Sequence, residues 1–176
     1  MIRSVVVAVA VLMIMTGCVP TPESYRIPPQ HGAGDSFRSG DGFKEFFRSG
    51  DLGSDLFLVK DVQGHEGSDM RWTHAEPEMR FFLGSTENRR FVMQFSVHEA
   101  TFRHTGPVTM VFLINGHELG SEQYDTPGHE TFEKPVPSEW LRKGAENRVL
   151  VRVLNPWTAP DGVKLGVVLH GAGFPE

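Results

Sequence analysis

The chain contains a single cysteine among its 176 residues. That residue, Cys18, lies near the start, so the remainder forms no disulfide. It also offers no thiolate for catalysis, for zinc or for an iron–sulfur cluster. A basic run is missing too: 17 Lys and Arg stand against 22 Asp and Glu, for a formal net charge of −5. Phosphate backbones are held by clustered cations, so no nucleic-acid partner is expected. No apolar run reaches the roughly 20 residues that cross a bilayer as a helix. Catalytic signatures are equally scarce. The sequence has no Gly-x-Ser-x-Gly elbow, no His-Glu-x-x-His and no phosphate-cradling Gly-rich loop between strand and helix. Glycoside hydrolysis needs only two carboxylates across a cleft, but nothing in the sequence pairs them. A non-catalytic protein is the expectation. His65, His74, His98, His104, His117, His129 and His170 are scattered without ligand spacing. Metal ligands do converge from distant strands, yet solvated surface histidines are the expected reading.

What is present begins with an export pattern. Arg3 supplies a short cationic region, and Val5 to Met15 form an uninterrupted apolar stretch. Its length fits the 7–15 residues of a signal-peptide core and falls short of a membrane span. Met15-Thr16-Gly17-Cys18 then resembles the bacterial lipobox, with aliphatic, small, small and Cys in succession. The resemblance implies cleavage before Cys18 and attachment of a diacylglycerol to it, with three acyl chains on the processed protein. One acyl chain binds membranes only marginally and two or more give stable anchoring, at about 0.8 kcal/mol per buried methylene. Val19 follows where an inner-membrane retention signal would place Asp, so the resemblance favours the outer membrane where one exists. Removing residues 1–17 removes one charge, Arg3, and moves the balance from −5 to −6.

Residues 18–53 read as a lipidated tether. Pro20, Pro22, Pro28 and Pro29 interrupt regular structure early on, and Gly32, Gly34, Gly40, Gly42, Gly50 and Gly53 loosen the remainder. Within it Phe37-Arg38-Ser39-Gly40-Asp41 recurs as Phe47-Arg48-Ser49-Gly50-Asp51. One reading is a partner-docking motif with Phe as anchor and Arg as a hydrogen-bonding fork. The other, which the turn-rich composition favours, is a linker whose phenylalanines pack on the edge of the domain.

From residue 54 the periodicity becomes that of strands. Phe91, Met93, Phe95 and Val97 fall on one face of the segment 90–98, with Val92, Gln94, Ser96 and His98 on the other. Residues 108–114 are nearly all apolar, as for a strand covered on both faces. Further strands are expected near 56–61, 79–83, 149–154 and 163–169. Asn115-Gly116 predicts a type I′ hairpin, and Gly106-Pro107 and Asp161-Gly162 mark two other strand starts. Only residues 138–143 look helical, with Pro137 before a Ser N-cap and Gly144 after the turn. The fold class is therefore all-β: an antiparallel sandwich or barrel over residues 54–176, behind the signal peptide and flexible tether.

A resemblance narrows this. VTMVFLINGHELG (108–120), the extended stretch 132–137 and the segment 140–150 from Trp140 to Leu150 resemble the jelly-roll β-sandwiches of the galactose-binding-like superfamily. There a strand ending in Asn-Gly precedes an extended stretch, a one-turn helix, a Gly-x-Asn element and another strand. Gly144-Ala145-Glu146-Asn147 is one residue longer than the commonest form. Trp140 and Leu141 should plug one end, and Asn147 should bond backbone groups in the turn before its strand. Met70-Arg71-Trp72-Thr73 resembles an Arg-Trp strand of jelly-roll domains attached to sugar-processing proteins. The resemblance implies carbohydrate bound in end loops or on a sheet face. On that basis Trp157, Trp72 and Tyr124 are candidate sugar-stacking rings, with Arg71, His74 and Asn155 as polar neighbours. Two readings of Trp157 stand level, ligand contact or a fold-back cap on the core, while Trp72, within a strand, suits the core. No cofactor is expected. The family's structural calcium would fall to Asp61, Glu66 and Asp69, although no loop has diagnostic spacing. The leading expectation is a membrane-anchored sandwich that binds a glycan or cell-envelope polymer. The alternative is an assembly lipoprotein that docks another envelope protein.

Overall fold

Alternating side chains dictate the strands that form. The computed structural model describes residues 33–40, 42–64 and 68–175, and the signal peptide and Cys18 lie outside them. In chain order the strands are β1 (Arg38–Ser39), β2 (Gly42–Phe43), β3 (Phe46–Arg48), β4 (Leu58–Val62) and β5 (Arg71–Phe82). Then come β6 (Arg90–Val97), helix α1 (Glu99–Thr105), β7 (Val108–Ile114), β8 (His117–Tyr124) and β9 (Gly128–Pro135). The last are β10 (Glu146–Val153), β11 (Trp157–Thr158), β12 (Lys164–Leu165) and β13 (Val168–Gly173).

These strands form an antiparallel β-sandwich, as the sequence predicts. One layer has the order β8-β7-β10-β5, with β4 on the other edge of β5. The second has the order β9-β6-β13, with β3 against β13. The long strand β5 belongs to both. Residues 78–82 pair with β10, whereas Arg71 and Trp72 pair with β13. Buried Pro77 stands between the two paired stretches. Proline has no N–H to give a ladder and is tolerated in sheets at such breaks.

The core follows from the periodicity. Phe91, Met93, Phe95 and Val97 are at most 2% exposed, the face expected of β6. Phe112 of β7 stacks on Phe132 of β9 across the layers, with centroids 3.5 Å apart. Fully burying a side chain of this size contributes about 1.5–3 kcal/mol. β7 departs from expectation, because only one face is covered. Val108, Met110, Phe112 and Ile114 are buried, while Thr109, Val111 and Leu113 are half-buried on the outer face.

A second departure concerns the tether. From residue 33 onward the segment expected to be flexible is built into the sandwich. β3 pairs with β13 through Phe47↔Ala172. Phe37 and Phe47 are buried, and both rings contact Phe57, at 5.0 and 4.9 Å. Ser49 is buried as well, and its hydroxyl donates to the Leu169 carbonyl. The repeated phenylalanines are thus core residues, and the folded unit reaches back before residue 54.

The turns behave as their chemistry requires. Asn115 and Gly116 have φ of 49° and 88°, the two positive values of a type I′ hairpin. Ser138–Trp140 forms one 3₁₀ turn, shorter than the helical stretch expected to 143. Leu141 is buried, while Trp140 stays at the rim, its ring 4.9 Å from His117 and near parallel. Asn147 is fully buried. Its Oδ1 accepts from the Arg142 N–H and from Asn115 Nδ2, and its Nδ2 donates to the Arg142 and Ala145 carbonyls.

Candidate functional site

Antiparallel pairing gathers one set of strand termini at one end of the sandwich. Ser96 near the end of β6 faces Val168 at the start of β13, which faces Trp72 at the start of β5. Val153 at the end of β10 faces Met110 near the start of β7. Helix α1, which bridges β6 and β7, therefore lies at this end. The sequence pattern missed it. Among its seven residues only Thr101 is buried, so no apolar stripe announces it. Its ends are well specified. The His98 Nδ1 accepts the Ala100 N–H at 3.2 Å as N-cap, and Gly106, at φ 67°, ends it. Glu99 and Arg103 pair across one turn. Arg103 holds the Glu99 carboxyl below the usual carboxylate range, mainly through that hydrogen bond.

Two tryptophans flank this helix, each against a histidine. Trp72, half-buried, lies 5.1 Å from His98 at the helix start. Trp157, also half-buried, stacks on His104 in the last turn, 5.4 Å away and 18° from parallel. Trp157 is held by the β11–β12 hairpin, where it pairs with Leu165. Trp157 thus packs on His104 of α1, and its side chain keeps part of its surface exposed. Beside His98 a hollow of about 320 Å³ is lined by Ser96, Val97, His98, Glu99, Pro127, Gly128 and His129.

The other predicted site residues are used inside the fold. Tyr124 is buried edge-on against Phe95 at 5.0 Å, and its hydroxyl donates to Glu122 at 3.2 Å. Burial, reinforced by the Glu122 charge, pushes its pKa far above the usual tyrosine value. It offers no open ring face. Arg71 is 1% exposed, and its guanidinium donates to Asp55 and to the Ser54 hydroxyl. Asn155 clamps the strand start: its Oδ1 accepts the Thr109 N–H and its Nδ2 donates to the Pro107 carbonyl. His74 faces Gln63 and Asp61 at the β4–β5 edge. Of the calcium candidates, Asp61 accepts the Glu76 N–H, and Glu66 lies outside the described residues. Among the described residues no three of His, Cys, Asp and Glu converge as metal ligands.

One group escaped the sequence reading. On the outer face of the second layer the Ser96 hydroxyl lies 2.9 Å from His129 Nδ1 and 2.6 Å from His170 Nε2. Ser96 and His129 are direct register partners on β6 and β9. His170 sits where the β13–β6 register slips between Leu169 and Gly171. Only Ser96's outward position was legible, through the alternation of β6.

No family model and no curated protein matches the chain. Several solved structures are similar in fold. A family 35 carbohydrate-binding module from Clostridium thermocellum matches with a TM-score of 0.42 and 9% identity over 74% of this chain and 98% of that one. A family 35 module from Paenibacillus barcinonensis gives 0.40 and 11% over the same shares. An acetyl xylan esterase from the rumen bacterium Butyrivibrio proteoclasticus gives 0.47 and 11%, covering 74% of this chain. The chain spans about a third (32%) of that esterase's length. At these identities the likeness is one of β-sandwich architecture.

Proposed function

We propose that this protein is an envelope lipoprotein whose β-sandwich binds a carbohydrate at the end carrying α1. The observation behind this reading is the pair of half-buried indoles, Trp72 and Trp157, packed against His98 and His104 at either end of one helix. Flat aromatic faces match the C–H faces of sugar rings, and packed rings lose little entropy on binding. Polar groups for hydroxyls line the hollow at the Trp72 end of the helix, where His98 touches that indole: Ser96, His98, Glu99 and His129. The alternative of protein docking through the repeated Phe-Arg-Ser-Gly-Asp segment loses its anchors, because Phe37 and Phe47 are buried. The lipobox supplies the second part of the proposal, lipid on Cys18 holding the domain at a membrane.

Affinity electrophoresis of the full-length protein through gels containing envelope and plant-type polysaccharides tests the first part. At least one polymer should retard the wild type, and Trp72→Ala and Trp157→Ala should each weaken binding about tenfold, or ~1.4 kcal/mol. Equal retardation of both variants, or none of the wild type, would refute the site. For the anchor, Cys18→Ser should abolish lipid labelling and release the protein from membranes. Membrane association that survives this change refutes it.

A further inference from the structure

We propose that His129 and His170, with Ser96 between them, form a binding site for a divalent transition-metal ion of the zinc class. It shares Ser96 and His129 with the carbohydrate site proposed above, but it rests on the convergence of the two imidazoles and not on that reading. The two imidazole nitrogens converge on one point, since Nδ1 of His129 and Nε2 of His170 both lie within hydrogen-bond reach of the same hydroxyl oxygen. Their rings are 5.1 Å apart and tilted by 43°. Imidazole nitrogens bind zinc at about 2.0–2.1 Å, and a metal between them would take over the role that the hydroxyl now plays.

Three features of the fold hold the arrangement. The antiparallel ladder fixes Ser96 opposite His129. The slip in register at His170 places an extra residue on β13, and such bulges re-aim a side chain away from strict alternation. Here the re-aimed side chain is His170, brought to Ser96. Gly171 comes next, and a Cβ there would meet the Phe47 carbonyl at 2.6 Å. The backbone at the bulge is therefore closely packed against β3. His170 also hydrogen-bonds the backbone of Asp69. A metal-binding histidine characteristically gives its second ring nitrogen such a backbone partner, which fixes tautomer and ring orientation.

The described residues bring no third His, Cys, Asp or Glu to the ion. Its remaining positions fall to Ser96 and water, facing the hollow that Ser96 and His129 line with Glu99. Such a site is open and exchangeable, unlike a closed four-ligand structural one.

The test is a titration of the full-length protein in detergent with zinc chloride alone, read by competition against a chromophoric chelator. Copper(II) broadening of histidine NMR resonances is read in parallel. One saturable equivalent is expected, with His129→Ala and His170→Ala each weakening it about tenfold or more. His117→Ala, beside Trp140 at the opposite end, should leave it unchanged. Copper should broaden His129 and His170 first. His170→Gln serves if His170→Ala fails to fold. Absence of a saturable equivalent, wild-type affinity in both histidine variants, or first broadening at other histidines overturns the proposal.

Discussion

Replacing Phe47 by alanine tests where the folded unit begins. The composition around it is that of a linker, yet its ring is 0% exposed and stacks on Phe57 and Phe81 at 4.9 and 6.1 Å. Its backbone belongs to the ladder with β13. Truncating a buried Phe removes its transfer free energy and leaves a cavity, for about 3–5 kcal/mol. At roughly 4 °C per kcal/mol for a unit of this size, the melting midpoint should fall by roughly 12–20 °C. Leu52, in the turn-rich stretch after β3 and 85% exposed, is the control. Leu52→Ala should stay within about 0.5 kcal/mol. Equilibrium urea unfolding followed by tryptophan fluorescence gives both numbers, with unchanged m-values indicating an unchanged folded unit. A Phe47→Ala loss below about 1 kcal/mol would refute the placement of residues 46–48 in the core and restore the tether to residue 53.

Two further outcomes concern buried and paired polar groups. Asn147→Ala strands the Arg142 N–H and two carbonyls that the side chain now satisfies, so urea unfolding should show a loss of about 2–4 kcal/mol. Asp51→Asn should alter acid stability. The Arg48 N–H, then Lys44, hold the Asp51 carboxyl below its usual value. Its contribution is therefore present above the unfolded carboxyl pKa near 4 and lost as pH falls through the lower folded value. With the side chain 38% exposed, the effect is that of a screened surface pair, under about 1 kcal/mol. Wild type and variant should differ at pH 6 and converge below pH 3 in urea titrations; a gap that widens in acid contradicts the assignment.

The parts of this molecule that could be read from sequence are those set by neighbouring residues. The inward face of β6, the Asn115-Gly116 hairpin and the cap role of Asn147 each depend on a few consecutive positions. Features set by distant partners were hidden. Arg71 reads as an available cation until Asp55 and Ser54 close on it, and Asn155 until Thr109 and Pro107 do. α1 hides because a seven-residue helix at the rim needs no apolar stripe. The tether misled because glycine and proline mark turns between short strands as well as flexible chain. Of the candidate site, Trp72 and Trp157 were legible as residue types, but their histidine partners were not. The Ser96, His129 and His170 cluster joins residues 33 and 74 positions apart through a bulge that leaves no trace in composition.

The position of β13 also ties the sheet together from the far end of the sequence. Its three partners, β3, β5 and β6, all precede it in the chain. Gly171, for instance, finds Arg48 across more than a hundred intervening residues. Until β13 arrives, each of these strands presents an open edge of unpaired amides, which is a template for pairing with other chains. Closing such long loops is slow, so a sandwich of this topology belongs to the millisecond-to-second folders. During that interval the nascent chain depends on whatever keeps those edges apart. Once β13 is seated, the same strand locks the early and late parts of the sequence into one cooperative unit.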